Sequence, residues 1–188
     1  ADAARKVEPV IRGFSDVYHY FGPFGSASKV KLINNLLVAV HMAATGEAMA
    51  LALKTGVDID LLIKAVAAGS GGSTQFGIRA PMMAQERFLP AMGTAVTISH
   101  YFELIGDLAD RAGVATPMLD RAAELYAQCI DMGLGEHDNA VMVEVIRRLP
   151  RRRAQAKARK AKPKAGKSSK KAVRKKAARK LKSRGRKR

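Results

Sequence analysis

The sequence has one cysteine and no tryptophan in 188 residues, and aromatic residues make up only 5% of it. A lone thiol, Cys129, has no internal partner, which excludes a disulfide-stapled fold and fits a reducing, cytoplasmic compartment. No matching Cys or His lies near it, so no metal site is expected. Residue 1 is alanine and no charged-then-apolar leader follows, so no secretory signal is expected. The longest apolar stretch, Leu32 to Leu53, is broken by Asn34, Asn35, His41 and Glu47. It is expected to be a core helix rather than a membrane span. Nowhere does a strand run into Gly-x-Gly-x-x-Gly and a helix, which excludes a self-contained dinucleotide-binding unit. "GSGGST" is no substitute, because it follows a helix and lacks the P-loop lysine; it is expected to line a substrate cleft.

Acidic residues are missing from one region only. Residues 1–150 hold 13 Lys+Arg and 16 Asp+Glu, whereas residues 151–188 hold 21 Lys+Arg and no acid. The formal charge of +18 therefore averages a mildly acidic body and a strongly basic tail. A body of this size buries roughly 70% of its unfolded surface, enough for a core without staples. The tail, from Arg151, Arg152 and Arg153 through Lys170, Lys171, Lys175 and Lys176 to the end, lacks large apolar groups to offset ordering entropy and is expected to be disordered. It resembles the Lys/Ala/Pro tails of histone H1-like proteins. Its chemistry is polyanion binding by counterion release, without base readout and without aromatic stacking. A solvated tail, or an accidental extension of the reading frame, is the alternative.

The body reads as mainly α. "DAARKVEPVIRGF" has helical spacing around Pro9, and "DVYHYFG" reads as one strand closed by glycine. A long helix is expected from Ser26 to Lys54. "GVDIDLLIKAVAAG" is a helix with Asp58 as N-cap and Gly69 at its end. "SGGSTQFG" reads as a flexible loop before a short helix, "PMMAQERF". In the next helix Ile98, Tyr101, Phe102, Ile105 and Leu108 share one face, and His100, Glu103, Asp107 and Arg111 the other. "TPMLDRAAELYAQCIDMG" starts on Thr116-Pro117 and stops at Gly133. "HDNAVMVEVIRRL" is the last helix, which together makes a helical bundle domain. His19, His41 and Cys129 are expected to be packing residues.

One helix start carries unusual chemistry. In "KVKLINNLL", Lys31 and Asn35 stand at i and i+4 with Asn34 beside them, on an otherwise apolar run. Such a face presents a proton-transferring amine beside an amide able to hold a substrate oxygen. The pattern alone also fits a polar helix end with a solvated lysine.

Taken in order, "GPFGSASKVKLINN", "TGEAMALALKTGVDIDLL" and "GVATPMLDRAAELYAQCIDMGLGEHD" resemble the β-hydroxyacid dehydrogenase superfamily, in its 3-hydroxyisobutyrate dehydrogenase-like branch. The resemblance covers about residues 1–149. It implies an N-terminal Rossmann domain for NAD or NADP and a helical C-terminal domain entered by a long interdomain helix. Residues 1–24 then look like a helix–strand remnant of the Rossmann domain, 25–149 like the helical substrate and dimerisation domain, and 150–188 like an added tail. The family's catalytic lysine falls on Lys31, and its substrate-holding asparagine on Asn35, with Asn34 adjacent. The first two glycines of its turn fall on Gly22 and Gly25, the latter a substrate contact, while Ala27 replaces the third. Where the family has a Lys-Asp pair this chain has His100-Tyr101; His100 is then either a weaker cofactor contact or an exposed helix residue.

The resemblance implies a small hydroxy-acid substrate, an NAD(P) cofactor not held by this chain alone, and a homo-oligomer, dimer or tetramer. The competing expectation is a non-enzymatic dimeric scaffold that binds nucleic acid through its tail.

Overall fold

A computed structural model describes residues 2–150. The basic tail, with every arginine and lysine singled out in it, lies outside the described residues. The order is α1 (Asp2–Arg12), α2 (Ser26–Thr55), α3 (Ile59–Ala68), α4 (Thr74–Ala84), α5 (Ala95–Ala112), α6 (Pro117–Asp131), a 3-10 turn (Asn139–Val141) and α7 (Met142–Arg148). The mainly α architecture is as the sequence reads.

α2 is the axis of the bundle, and α4, α5, α6 and α7 all pack on it. Its inward face is made of small or flexible side chains: Ala39, Met42, Gly46, Met49 and Ala50 are buried. At Gly46 a Cβ would lie 3.0 Å from Met142 Cγ and 3.2 Å from the Met142 carbonyl carbon, so glycine sets how closely α7 crosses α2. Length and composition alone would let α2 cross a membrane. Its inward face is instead engaged by four helices.

The caps explain most boundaries. The Asp58 and Ser73 side chains accept from the amides of Leu61 and Phe76, and Thr94 accepts from Thr97. Gly113 ends α5 in the left-handed conformation, at φ 68. Gly69 ends α3, but with extended rather than left-handed backbone.

Two expectations fail. The strand assigned to "DVYHYFG" is absent: residues 16–22 are irregular, and among the described residues no sheet forms. β-branched and aromatic residues favour a pleated surface only when a neighbouring strand pairs with them, and none is present. The "flexible loop" at Thr74–Gly77 is the first turn of α4, because the Ser73 cap starts the helix ahead of Pro81. Pro9 likewise sits inside α1.

Candidate active site

The first turns of α2 point Lys31, Asn34, Asn35 and Val38 at a cleft of about 340 Å³. Across it stand Gln75 and Arg79 from α4, the Gly93–Thr94 segment, Thr97, Ile98 and Tyr101 from α5, and Asn139 from the 3-10 turn. Lys31 and Asn34 are exposed, whereas Asn35 is only 4% exposed. The Asn34 amide donates to Asn35 Oδ1 at 3.4 Å, a long bond that a better acceptor for Asn34 would displace. Three hollows elsewhere are larger, about 540 Å³ beside Gln85–Leu89, about 840 Å³ beside Gly56–Lys64 and about 360 Å³ beside His41 and Ser70–Ser73. None of them sets an amine, amides and a guanidinium around one space.

The far wall is held by a buried ion pair. Arg79 Nε donates to Asp138 Oδ1 at 3.1 Å, and Arg79 Nη1 donates to Gln75 Oε1 at 2.9 Å. Asp138 is fully buried, and three backbone amides donate to it as well: Ala140 at 2.9 Å, Met92 at 2.9 Å and Gly93 at 3.3 Å. One carboxylate thus ties α4, the loop before α5 and the 3-10 turn into a single wall. Next to it Asn139 Oδ1 is buried without a partner. Tyr126, packed edge-on to Phe102 with centroids 5.3 Å apart, also has an unpartnered hydroxyl, and burial holds its pKa far above the ordinary tyrosine value.

The structure therefore brings Lys31, Asn34 and Asn35 together and leaves Gly25 and His100 outside the cleft. Gly25 caps α2 at φ 88, six residues and roughly 9 Å of helix rise before Lys31. His100 is exposed, and its neighbour Tyr101 lines the cleft, one turn beyond Thr97. The glycine-rich segment borders a different hollow: Ser70–Ser73 meet His41 and Thr45 there, so the expected role in the Lys31 cleft is corrected. The reason is that Ser73 starts α4, whose Gln75 and Arg79 rather than its preceding loop reach the cleft. His41 is half-buried at that hollow, and His19 is exposed, edge-on to Phe21 at 6.1 Å. Cys129 is buried, as expected of a core residue.

Sequence reading missed Arg79, Gln75, Thr97 and Asn139. A signal for Arg79 existed: it lies three residues after Phe76 and four before Met83, on the face α4 buries.

A protein-family model described as the NAD-binding domain of NADP-dependent 3-hydroxyisobutyrate dehydrogenase matches residues 25–146. The chain belongs to this family. It is 30% identical over 146 residues to L-threonate dehydrogenase of Cupriavidus necator, a match that covers 77% of this chain and 49% of that protein. L-threonate dehydrogenase of Escherichia coli K12 is 26% identical over 144 residues, covering 76% and 47%. Among solved structures, 3-hydroxyisobutyrate dehydrogenase of Salmonella typhimurium superposes with a TM-score of 0.71 at 24% identity, covering 76% of this chain and 50% of that one. The Mycobacterium tuberculosis enzyme, solved with L-serine, gives 0.69 at 22%, covering 78% and 52%. The chain spans about half the length of the curated relatives it matches.

Members of this family are NAD(P)-dependent oxidoreductases. The amides that open α3, α4 and α5 are taken by Asp58, Ser73 and Thr94, whereas α2 opens at Gly25 and α6 at Thr116 without a side-chain cap. The cleft, at about 340 Å³, is at the small end of ligand pockets, which run from about 300 to 1,000 Å³.

Proposed function

We propose that this chain supplies the hydroxy-acid side of an NAD(P)-dependent β-hydroxyacid dehydrogenase, with the dinucleotide held by a part of the protein outside these 188 residues. The observation that carries the proposal is the convergence of Lys31 with buried Asn35 on one turn of α2, facing Arg79 across a small cleft. Lys31 Nζ moves the proton of the substrate hydroxyl, and the Asn35 amide fixes that oxygen's position. Arg79 has two of its nitrogens committed to Asp138 and Gln75, and the third, Nη2, makes no hydrogen bond among the described residues. It suits a substrate carboxylate, a planar anion. Thr97 and Tyr101 add hydroxyls for further oxygens on the substrate chain. Gly25 and His100 lie outside the cleft and have no role in this reading.

The test is an NMR titration of the chain with L-threonate, the acid named for two of its relatives. Shifts confined to the amides around Asn35, Arg79 and Thr97 are expected, and lost in Asn35→Ala, where an unpaired polar partner costs about 1–3 kcal/mol. In a complete enzyme carrying this cleft, Lys31→Met should lower turnover by roughly 10²–10⁴-fold, the usual worth of a general acid–base group. Near-normal turnover would remove Lys31 from the mechanism.

A second reading rests on the tail. Twenty-one basic and no acidic residues after Pro150 suit a non-enzymatic scaffold that holds nucleic acid.

A further inference from the structure

Gly93 is a glycine that neither its backbone nor its packing requires. Its φ lies outside the left-handed region, and a Cβ there would come no nearer than 3.4 Å to Asn139 Nδ2 and 3.8 Å to Arg79 Nη2. These are ordinary contact distances. At Gly46, Gly72 and Gly135, by contrast, a Cβ would stand 3.0, 2.7 and 2.8 Å from its nearest neighbour. What the missing side chain leaves at Gly93 is a gap in the wall of the cleft, bordered by two nitrogens that donate to nothing among the described residues. Arg79 and Asn139 are 8% and 5% exposed, and both line the cleft.

The gap is firmly framed. The Gly93 amide donates to Asp138 Oδ2 at 3.3 Å, and its carbonyl accepts from the Asn139 amide at 3.0 Å. Asn139 Oδ1 is buried, so the side chain presents its donor end to the gap. Two unused donors side by side require an acceptor, and the surroundings make that acceptor an anion. No Asp or Glu lines the cleft, and Lys31 stands on the facing wall. Asp138, behind Arg79, already accepts from four donors, which offsets its charge. We infer that Gly93 is a specificity-determining residue: its gap admits a free carboxylate, one oxygen taken by Arg79 Nη2 and the other by Asn139 Nδ2. A carboxamide would turn its own NH2 group towards one of the two donors, and an ester would add a group where only a methyl-sized space exists. The ligand class is therefore the unmodified acid, not its amide or ester. The inference rests on the hydroxy-acid reading above and adds to it the seat of the carboxylate.

The experiment is an NMR titration of the full chain with sodium acetate, balanced with sodium chloride to constant ionic strength. Acetate has the carboxylate and no hydroxyl, so it probes the gap apart from Lys31 and Asn35. Saturable shifts are expected at the Gly93 amide and at the side-chain groups of Asn139 and Arg79, and none with acetamide. Gly93→Ala should weaken acetate by roughly tenfold or more. Its melting temperature should stay level or rise, because alanine at an unstrained position removes freedom from the unfolded chain. Asn139→Leu, of similar volume, should also weaken acetate. Shifts that persist in both variants, acetate and acetamide acting alike, no saturable shift at Gly93, or a lower melting temperature in Gly93→Ala would each overturn the inference, whatever L-threonate does. Acetate seated at Gly93 with no L-threonate shift at Asn35 would keep the carboxylate seat and overturn the hydroxy-acid reading alone.

Discussion

Asp138 shows how one residue can hold a cleft without entering it. It accepts from the Arg79 guanidinium and from three backbone amides in a site closed to water. Removing one partner of a buried pair costs about 3–5 kcal/mol. Asp138→Ala should therefore lower the melting temperature by on the order of 10 °C. Arg79→Met should cost less, because the carboxylate keeps its three amide donors. Thermal melts of the two variants check the order. Cys129 is a second residue-scale case. Burial pushes its thiol from 9.0 up to about 11, so the folded chain keeps a proton that the unfolded chain gives up. That contribution is complete below pH 9 and fades as pH rises towards about 11, with Tyr126 acting in the same direction. The urea midpoint should fall across this window, and Cys129 should resist alkylation at neutral pH until the chain is unfolded.

At the scale of elements, close packing is set where α7 crosses α2. Gly46→Ala would gain helix propensity of roughly 0.5–1 kcal/mol. It would also push a methyl group against Met142, where overpacking costs about 1–3 kcal/mol. Net destabilisation is the expected result of a urea titration, because the Met142 backbone as well as its side chain stands in the way. Some helix boundaries were legible from the sequence: Asp58 starts α3 as expected, and the long α2 begins at Ser26 and overruns its expected end by one residue, whereas the Ser73 cap that starts α4 was read as part of a loop. The strand was not legible, since a strand's existence depends on a partner that no local pattern reports. Of the cleft, the α2 wall could be read because Lys31 and Asn35 are close in sequence. The opposite wall could not, because Arg79 and Asp138 are 59 residues apart and only the fold joins them. The phase of α5, which turns Tyr101 inward and His100 out, was readable from its apolar face.

At the scale of the whole molecule, charge is divided between two parts. The full chain should bind duplex DNA of any sequence, while residues 1–150, with three more acidic than basic groups, should not. If roughly 6–10 phosphates are neutralised, affinity should drop about 10³–10⁵-fold between 50 and 200 mM salt. Fluorescence anisotropy with two unrelated duplexes checks this. A preference for one duplex, or binding that survives salt, would show that the helical body itself reads DNA.

Lys31 and Asn35 are carried on one unbroken helix, four residues and roughly 6 Å of rise apart. Their separation is therefore a property of the backbone hydrogen-bond repeat, and no rearrangement of the surrounding helices can alter it. The opposite wall is assembled from α4, the Gly93–Thr94 segment, α5 and the 3-10 turn, so its geometry depends on how separate segments pack. Under the function proposed above, this divides the labour: reaction type would belong to the rod, and substrate length and hydroxyl pattern to Thr97, Tyr101 and Asn139. A library confined to those three positions should then change which acid is accepted while leaving Lys31 and Asn35 in register.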